Sequence, residues 1–265
     1  MFELYYNQRI KIYPNGTKII TTFNKTVFNP LHHPKNINYD DREVPDRLPW
    51  TDCDTRLDNL KRAKEKIFDI AFINDFDYFV TLTFDDNIIN SKDEDEVHRV
   101  MRNWFNNMVK RYNFKYLAVP EFHKSKRIHF HMLCSGDLNL IDSGTVLIPE
   151  RENPVKISTA DKICKDKSLY RTVYNLANWK NGFSTVVKFN KCDDNGQGTT
   201  AIAKYLTKYI TKDLIKVLKS YYYAGGHLER EVQTQYSVVP FESVFAPEIE
   251  IKDTDLKVKY QTIGV

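Results

Sequence analysis

The run Ile128-His129-Phe130-His131-Met132-Leu133 alternates polar and apolar side chains with a period of two. That period belongs to a β-strand resting on a core. It puts His129 and His131 on one face and Phe130 and Met132 on the other. A second strand-like run precedes it across a short polar loop, so Tyr116–Phe122 and Arg127–Cys134 read as a hairpin. A three-residue loop, Lys124-Ser125-Lys126, sets Glu121 opposite His129 and on the histidine face. An even-numbered loop would throw Glu121 to the other side. The register therefore decides whether a His/His/carboxylate cluster exists at all. His123 falls on the same face near the loop end and reads as a surface histidine.

The neighbouring segments supply the rest of a sheet. Tyr78–Phe84 is β-branched and aromatic, reads as a central strand, and ends at Asp85-Asp86-Asn87. Ser91-x-x-Glu94 is a capping-box signal. After it, Val97, Val100, Met101, Trp104, Phe105, Met108 and Val109 recur at helical spacing, with Trp104 as a core residue. Asp54 to about Ile73 reads as a helix, residues 135–165 as an irregular excursion, and Ser168–Asn178 as a helix. Trp179-x-x-Gly182 turns the chain into a strand, Phe183–Phe189. At the start of the chain, Asn15-Gly16 marks a turn between Gln8–Tyr13 and Lys18–Phe23. The tail from about 230 reads as extended segments. The expected fold is α+β, a mainly antiparallel sheet with helices on one face and the other face free for a site. The expected divisions are an N-terminal ribbon and loop (1–50), a main domain (51–225) and an extended tail (226–265).

Beyond the sheet, Lys204-Tyr205-Leu206-Thr207-Lys208-Tyr209-Ile210-Thr211-Lys212 is a tandem of Tyr-x-x-Lys units. On a helix capped by Thr199 or Thr200, Tyr205, Lys208, Tyr209 and Lys212 share one face. Ile202, Leu206, Ile210, Leu214 and Val217 form an apolar stripe beside it. Taken alone, this is also what a surface helix with snorkelling lysines looks like.

Charge argues for more. The formal net charge is only +4, but residues 99–133 hold eight Lys and Arg against Glu121. Thr200–Lys219 holds five lysines against Asp213. A basic surface around a site favours a polyanionic partner, most often nucleic acid. The hydrophobic fraction of 42% and charged fraction of 28% describe a globular chain and not a disordered one. Cys53, Cys134, Cys164 and Cys192 form no Cys-x-x-Cys pair, which argues against a zinc knuckle or a disulfide framework and fits a reducing cytoplasm. No apolar run approaches the length of a membrane span, and the opening Met1-Phe2-Glu3 is no signal peptide.

A His/His/carboxylate site has two chemical readings. One is oxygen activation at iron; the other is Lewis-acid polarisation of a phosphate oxygen by Mg2+ or Mn2+. The basic surroundings and the paired tyrosines favour the phosphate, with a phenolate attacking phosphorus.

The motifs resemble those of a known family. Phe79-Val80-Thr81-Leu82-Thr83-Phe84, Glu121 with His129-Phe130-His131, and Tyr205-x-x-Lys208-Tyr209-x-x-Lys212 are similar, in order and spacing, to motifs I, II and III of rolling-circle replication initiators. These are the Rep proteins of the HUH endonuclease superfamily found in small single-stranded DNA phages and bacterial plasmids. Trp179-x-x-Gly182 also fits that group, and the resemblance spans about residues 75–220. It implies an RRM/ferredoxin-like core and a metal-dependent nickase and strand transferase in the bacterial cytoplasm, acting on single-stranded or hairpin origin DNA. Carried over by position, Glu121, His129 and His131 would hold Mg2+ or Mn2+. Tyr205 and Tyr209 would be the nucleophiles, assisted by Lys208 and Lys212, and Thr81, Thr83, Lys124, Lys126 and Arg127 would contact DNA. The chain has no Gly-x-x-x-x-Gly-Lys-[Ser/Thr] motif, so unwinding and synthesis would fall to a host helicase and polymerase. The alternatives are a transposase of the same superfamily and a non-catalytic sheet-based binder stacking bases on Phe79, Phe84 and Tyr116. A mononuclear iron oxygenase gives the tyrosines no role.

Overall fold

A computed structural model describes residues 5–28, 52–123, 125–151, 153–188, 217–241, 249–253 and 256–263. The chain divides into two compact units. One comprises residues 50–229, and the other joins residues 1–49 to residues 230–265.

The larger unit is built on an eight-stranded antiparallel sheet. Its strands are β3 (Tyr78–Phe84), β4 (Lys115–Phe122), β5 (Ile128–Ser135), β6 (Leu140–Leu147), β7 (Val155–Lys156), β8 (Arg171–Leu176), β9 (Gly182–Lys188) and β10 (Tyr223–Gly225). Their order across the sheet is β10-β4-β5-β3-β9-β8-β6-β7. With helices α1 (Asp52–Ile73), α2 (Glu94–Arg111) and α3 (Ile157–Ile163), this is the expected α+β class. Among the described residues no helix is long and apolar enough to cross a membrane.

The alternation of the central strands sorts the core. Val80, Leu82 and Phe84 of β3, Phe130 and Met132 of β5, and Ala118 of β4 face α2. There they meet its buried Val97, Met101, Trp104, Phe105 and Met108. Burying each large side chain of this kind contributes about 1.5–3 kcal/mol. Leu117, Val119 and Leu133 alternate with these residues and lie on the opposite face, packed against Leu60, Ile67 and Ile70 of α1. The helices thus do not keep to one face of the sheet. α1 covers the end of the second face that bears Leu117 and Leu133, and the histidine end continues beyond it.

Two loops differ from expectation in ways that matter for that face. The cap of α2 is Asp93, whose carboxylate accepts from the amides of Asp95 and Glu96; it is not Ser91. Ser91 is buried and employed elsewhere. Its hydroxyl donates to Asp86, and its carbonyl accepts from the amide of Ile128. Asp86 also pairs with Arg127, so the loop after β3 is tied to the start of β5. The hairpin loop closes as a three-residue turn. The His123 amide donates to the Arg127 carbonyl, the Lys126 amide donates to the His123 carbonyl, and Lys126 sits in the left-handed region at φ 62°.

Residues 171–176 form strand β8, not the helix expected over Ser168–Asn178. Thr172, Val173 and Tyr174 suit a strand, and the segment finds partners on both sides in β6 and β9. The expected irregular excursion over 135–165 contains β6, β7 and α3, because β6 pairs with β8 some thirty residues on.

In the smaller unit, β1 (Tyr5–Ile12) and β2 (Lys18–Phe28) form the expected hairpin through Asn15-Gly16. The C-terminal segments supply β11 (Gln233–Ser237), β12 (Ile249–Asp253) and β13 (Leu256–Ile263), giving a five-stranded sheet ordered β11-β1-β2-β13-β12. Ribbon and tail, which read as separate pieces, satisfy each other's free edges.

The tightest backbone approach in the larger unit is at Gly182, opposite Phe84, with φ +149°. A Cβ there runs into the Thr83 carbonyl and the Asp85 amide nitrogen. Gly182→Ala is expected to destabilise the protein by about 1–3 kcal/mol, read as a lower urea midpoint at unchanged m-value.

Candidate functional site

The register of β4, β5 and β3 assembles the site. Glu121 pairs with His129, and His129 pairs with Thr83 on its other side. One step along the strands, Val119, His131 and Thr81 are likewise in line. All of these side chains fall on the face opposite α2, and the Glu121–His129 pairing is the one set by the three-residue loop.

Each imidazole is held by the threonine beside it. The Thr83 hydroxyl lies 3.1 Å from His129 Nδ1, and the Thr81 hydroxyl lies 3.2 Å from His131 Nδ1. His131 Nε2 lies 2.8 Å from Glu121 Oε2, a contact made on the diagonal of the ladder. One tautomer satisfies both of its bonds, with Nδ1 accepting from Thr81 and Nε2–H donating to Glu121. The Phe79 ring stacks on His131 at 6.0 Å, fixing the plane of the imidazole. Glu121 is 8% exposed, so this contact is screened little by water. His123 is exposed, as expected. Its ring lies 5.3 Å from that of His129, and its Nδ1 bonds the Ser125 hydroxyl.

Electrostatics keep His129 neutral. Burial is the largest cause lowering its pKa, and the nearby His123 and His131 add to the effect against the opposing pull of Glu121. A neutral imidazole is the form that can donate a lone pair to a metal.

The tryptophan-glycine motif before β9 supports this row from behind. Trp179 packs edge-on against Phe84 and Trp104, and its indole N–H donates to the Thr83 carbonyl at 3.3 Å. Trp104 donates in turn to the Asn178 carbonyl. Gly182 lets β9 lie against Thr83 where no side chain fits. The backbone of the threonine that orients His129 is therefore clamped from both sides.

Among the described residues, no three His, Cys, Asp or Glu side chains stand arranged to hold a metal ion. The residues nevertheless fit one. With Nδ1 of both imidazoles engaged by threonine hydroxyls, Nε2 is the nitrogen each has left to give. The 2.8 Å between His131 Nε2 and Glu121 Oε2 matches the roughly 3 Å separation of neighbouring ligands that each sit about 2.1 Å from one ion.

Of the residues expected to contact DNA, Lys126 and Arg127 are exposed on the hairpin turn, Arg127 beside Asp86. The hydroxyls of Thr81 and Thr83 bond the imidazoles. Lys124 and all four of Tyr205, Lys208, Tyr209 and Lys212 lie outside the described residues. The chain re-enters the core just after them. Val217 and Leu218 are buried in the α2 cluster, and Lys219 pairs with Asp95 at 2.8 Å. Two of the three aromatics considered for base stacking are unsuited to it, since Phe84 and Tyr116 are buried beneath α2.

A family model for replication-associated proteins of the ORF2 type matches residues 77–214, just over half of the chain. The chain belongs to this family. The match begins at β3 and runs through the tyrosine segment, covering all three motifs, and it supports a rolling-circle initiator of the Rep type. Neither a curated protein nor a solved structure matches the chain.

Two roles here escaped the sequence reading, namely Thr81 and Thr83 as holders of the imidazoles and Trp179 as the brace of Thr83. The first had a signal, since the threonines share the two-residue spacing of the histidines.

Because the pKa of His129 is lowered on folding, the unfolded chain binds more protons than the native one just below pH 6.5. Stability is therefore greatest above that pH and declines as pH falls through and below it. Urea titrations between pH 5 and 8 are expected to show a shallower decline for His129→Gln than for the parent protein.

Proposed function

We propose that this replication-associated protein nicks single-stranded origin DNA by tyrosine attack and then rejoins strands. One observation carries the reading: within the family-matched region, Glu121 and two threonine-held imidazoles share one sheet face. Tyrosines in tandem and a basic surround accompany them in the sequence.

In this scheme Glu121, His129 and His131 hold Mg2+ or Mn2+. When bound, the ion withdraws charge from a non-bridging phosphate oxygen and makes phosphorus more open to attack. Thr81 and Thr83 keep Nδ1 occupied, so each imidazole presents Nε2, and Phe79 restrains the ring of His131. The phenol of Tyr205 or Tyr209 loses its proton and its oxygen bonds to phosphorus. The bond from phosphorus to the 3′ oxygen breaks, and that oxygen leaves as a 3′ hydroxyl. The product is a 5′-phosphotyrosine with a primer end. Lys208 and Lys212 ease the loss of the phenol proton and steady the charge on the phosphoryl group. A second attack closes the displaced strand, and a host helicase and polymerase supply unwinding and synthesis.

The test is a protein–oligonucleotide adduct that survives SDS. It is expected with single-stranded origin DNA and added Mg2+ or Mn2+, and it should vanish when Tyr205 and Tyr209 are both changed to Phe. An unchanged adduct in the double variant overturns the nucleophile assignment, and peptide mapping by mass spectrometry identifies the tyrosine used.

The threonine contacts give a second test. Thr83→Val keeps the shape of the side chain and removes the hydroxyl. It is expected to weaken Mn2+ binding by about 10–100-fold, measured by calorimetry, with the urea midpoint nearly unchanged.

A further inference from the structure

Phe183 is out of place for a residue of an inner strand. It belongs to β9, which lies between β3 and β8, yet it is 69% exposed, the highest value among the large apolar side chains described. Its partner across the ladder is Thr83, so Phe183, Thr83, His129 and Glu121 form one row across four adjacent strands on one face. With strands about 4.8 Å apart, Phe183 stands roughly 10 Å from His129 along that row. Its position is rigid, because both neighbouring strands pair with β9 and Gly182 is pressed against Thr83. The half-buried Thr185 follows it on the same face, opposite Thr81.

We infer that Phe183 is a stacking platform for a base of single-stranded DNA, next to the nucleotide whose phosphate lies at Glu121, His129 and His131. The inference rests on the reading of that face as a DNA-nicking site. A flat ring on a firm backbone binds any base through its π-face and loses little freedom in doing so. The row supplies the rest of a nucleotide's needs. Thr83 and Thr185 flank the ring with polar groups, and Lys126 and Lys180 stand exposed in the two turns bordering this end of the sheet, where a backbone phosphate would pass. The distance to His129 is that of a nucleotide neighbouring the attacked one, so the platform would fix which phosphate is presented for attack. Phe84 and Tyr116, buried under α2, cannot do this.

The probe is a fluorescently labelled oligothymidylate, titrated with the full chain by anisotropy without added metal. Phe183→Leu keeps an apolar side chain and removes the ring; its Kd is expected to rise about 5- to 100-fold, with the salt dependence of binding unchanged. Phe183→Trp is expected to bind as tightly as the parent or tighter. In a parallel arm, 2-aminopurine placed at successive positions of the strand should be quenched on binding at one position, and that quench should disappear in Phe183→Leu. Leucine and tryptophan variants that bind like the parent overturn the inference, as does a quench that survives in Phe183→Leu. The two readings fail separately. If the parent binds through the ring at 183 but forms no SDS-resistant adduct with Mn2+, nicking fails and the platform stands. If the adduct forms and Phe183→Leu binds like the parent, the platform fails and nicking stands.

Discussion

The pairing of β4 with β5 is the constraint on which the rest of the site depends. Side chains alternate along a strand, so a slip of one residue would send Glu121 to the α2 side and leave the imidazoles without a carboxylate. The three-residue turn fixes that register, and it does so with a lysine at φ 62°, a conformation that costs a non-glycine residue about 1–2 kcal/mol. The strain is tolerated because the turn is anchored at its base. His123 and Arg127 close it through the backbone, and Asp86 holds Arg127.

The same face is divided between two kinds of surface. At the end bearing Leu117 and Leu133, α1 covers it and buries apolar side chains. At the other end Thr83, His129 and Phe183 are only partly covered or exposed. Helix α2 on the opposite face supplies the larger core, so the histidine end can stay open without emptying the fold of hydrophobic burial. Rigidity comes from behind, through Trp104, Trp179 and the glycine-tight contact at Thr83. A site that must orient two imidazoles to a fraction of an ångström benefits from threonines on an inner strand more than from groups on a loop.

Much of this was legible beforehand, and the exceptions share a cause. The strand Tyr78–Phe84, the hairpin, its register and the helix over Val97–Val109 all carried local signals in period or turn chemistry. Strand β8 was misread as a helix, and β6 was read as irregular, because each is stabilised by pairing with the other across a long stretch of chain. The cap of α2 was misplaced by two residues because Ser91 and Asp93 are both good caps. Only the competing bond from Ser91 to Asp86 decides between them. The two ends of the chain joined into one sheet for the same non-local reason.

By itself, the sequence determined which chemical groups this protein can bring to bear and in what order. The period-two spacing of His129 and His131 and the odd loop length set the carboxylate and imidazoles on one side, and strand alternation is a local geometric rule. Only the tertiary structure decided what surrounds them. The threonine held to each imidazole, the tryptophan behind Thr83 and the exposed ring of Phe183 in the same row come from β3, β5 and β9 lying side by side. Such neighbours are set by which strands pair, and pairing is settled by the burial of the whole sheet and not by any one segment of the chain.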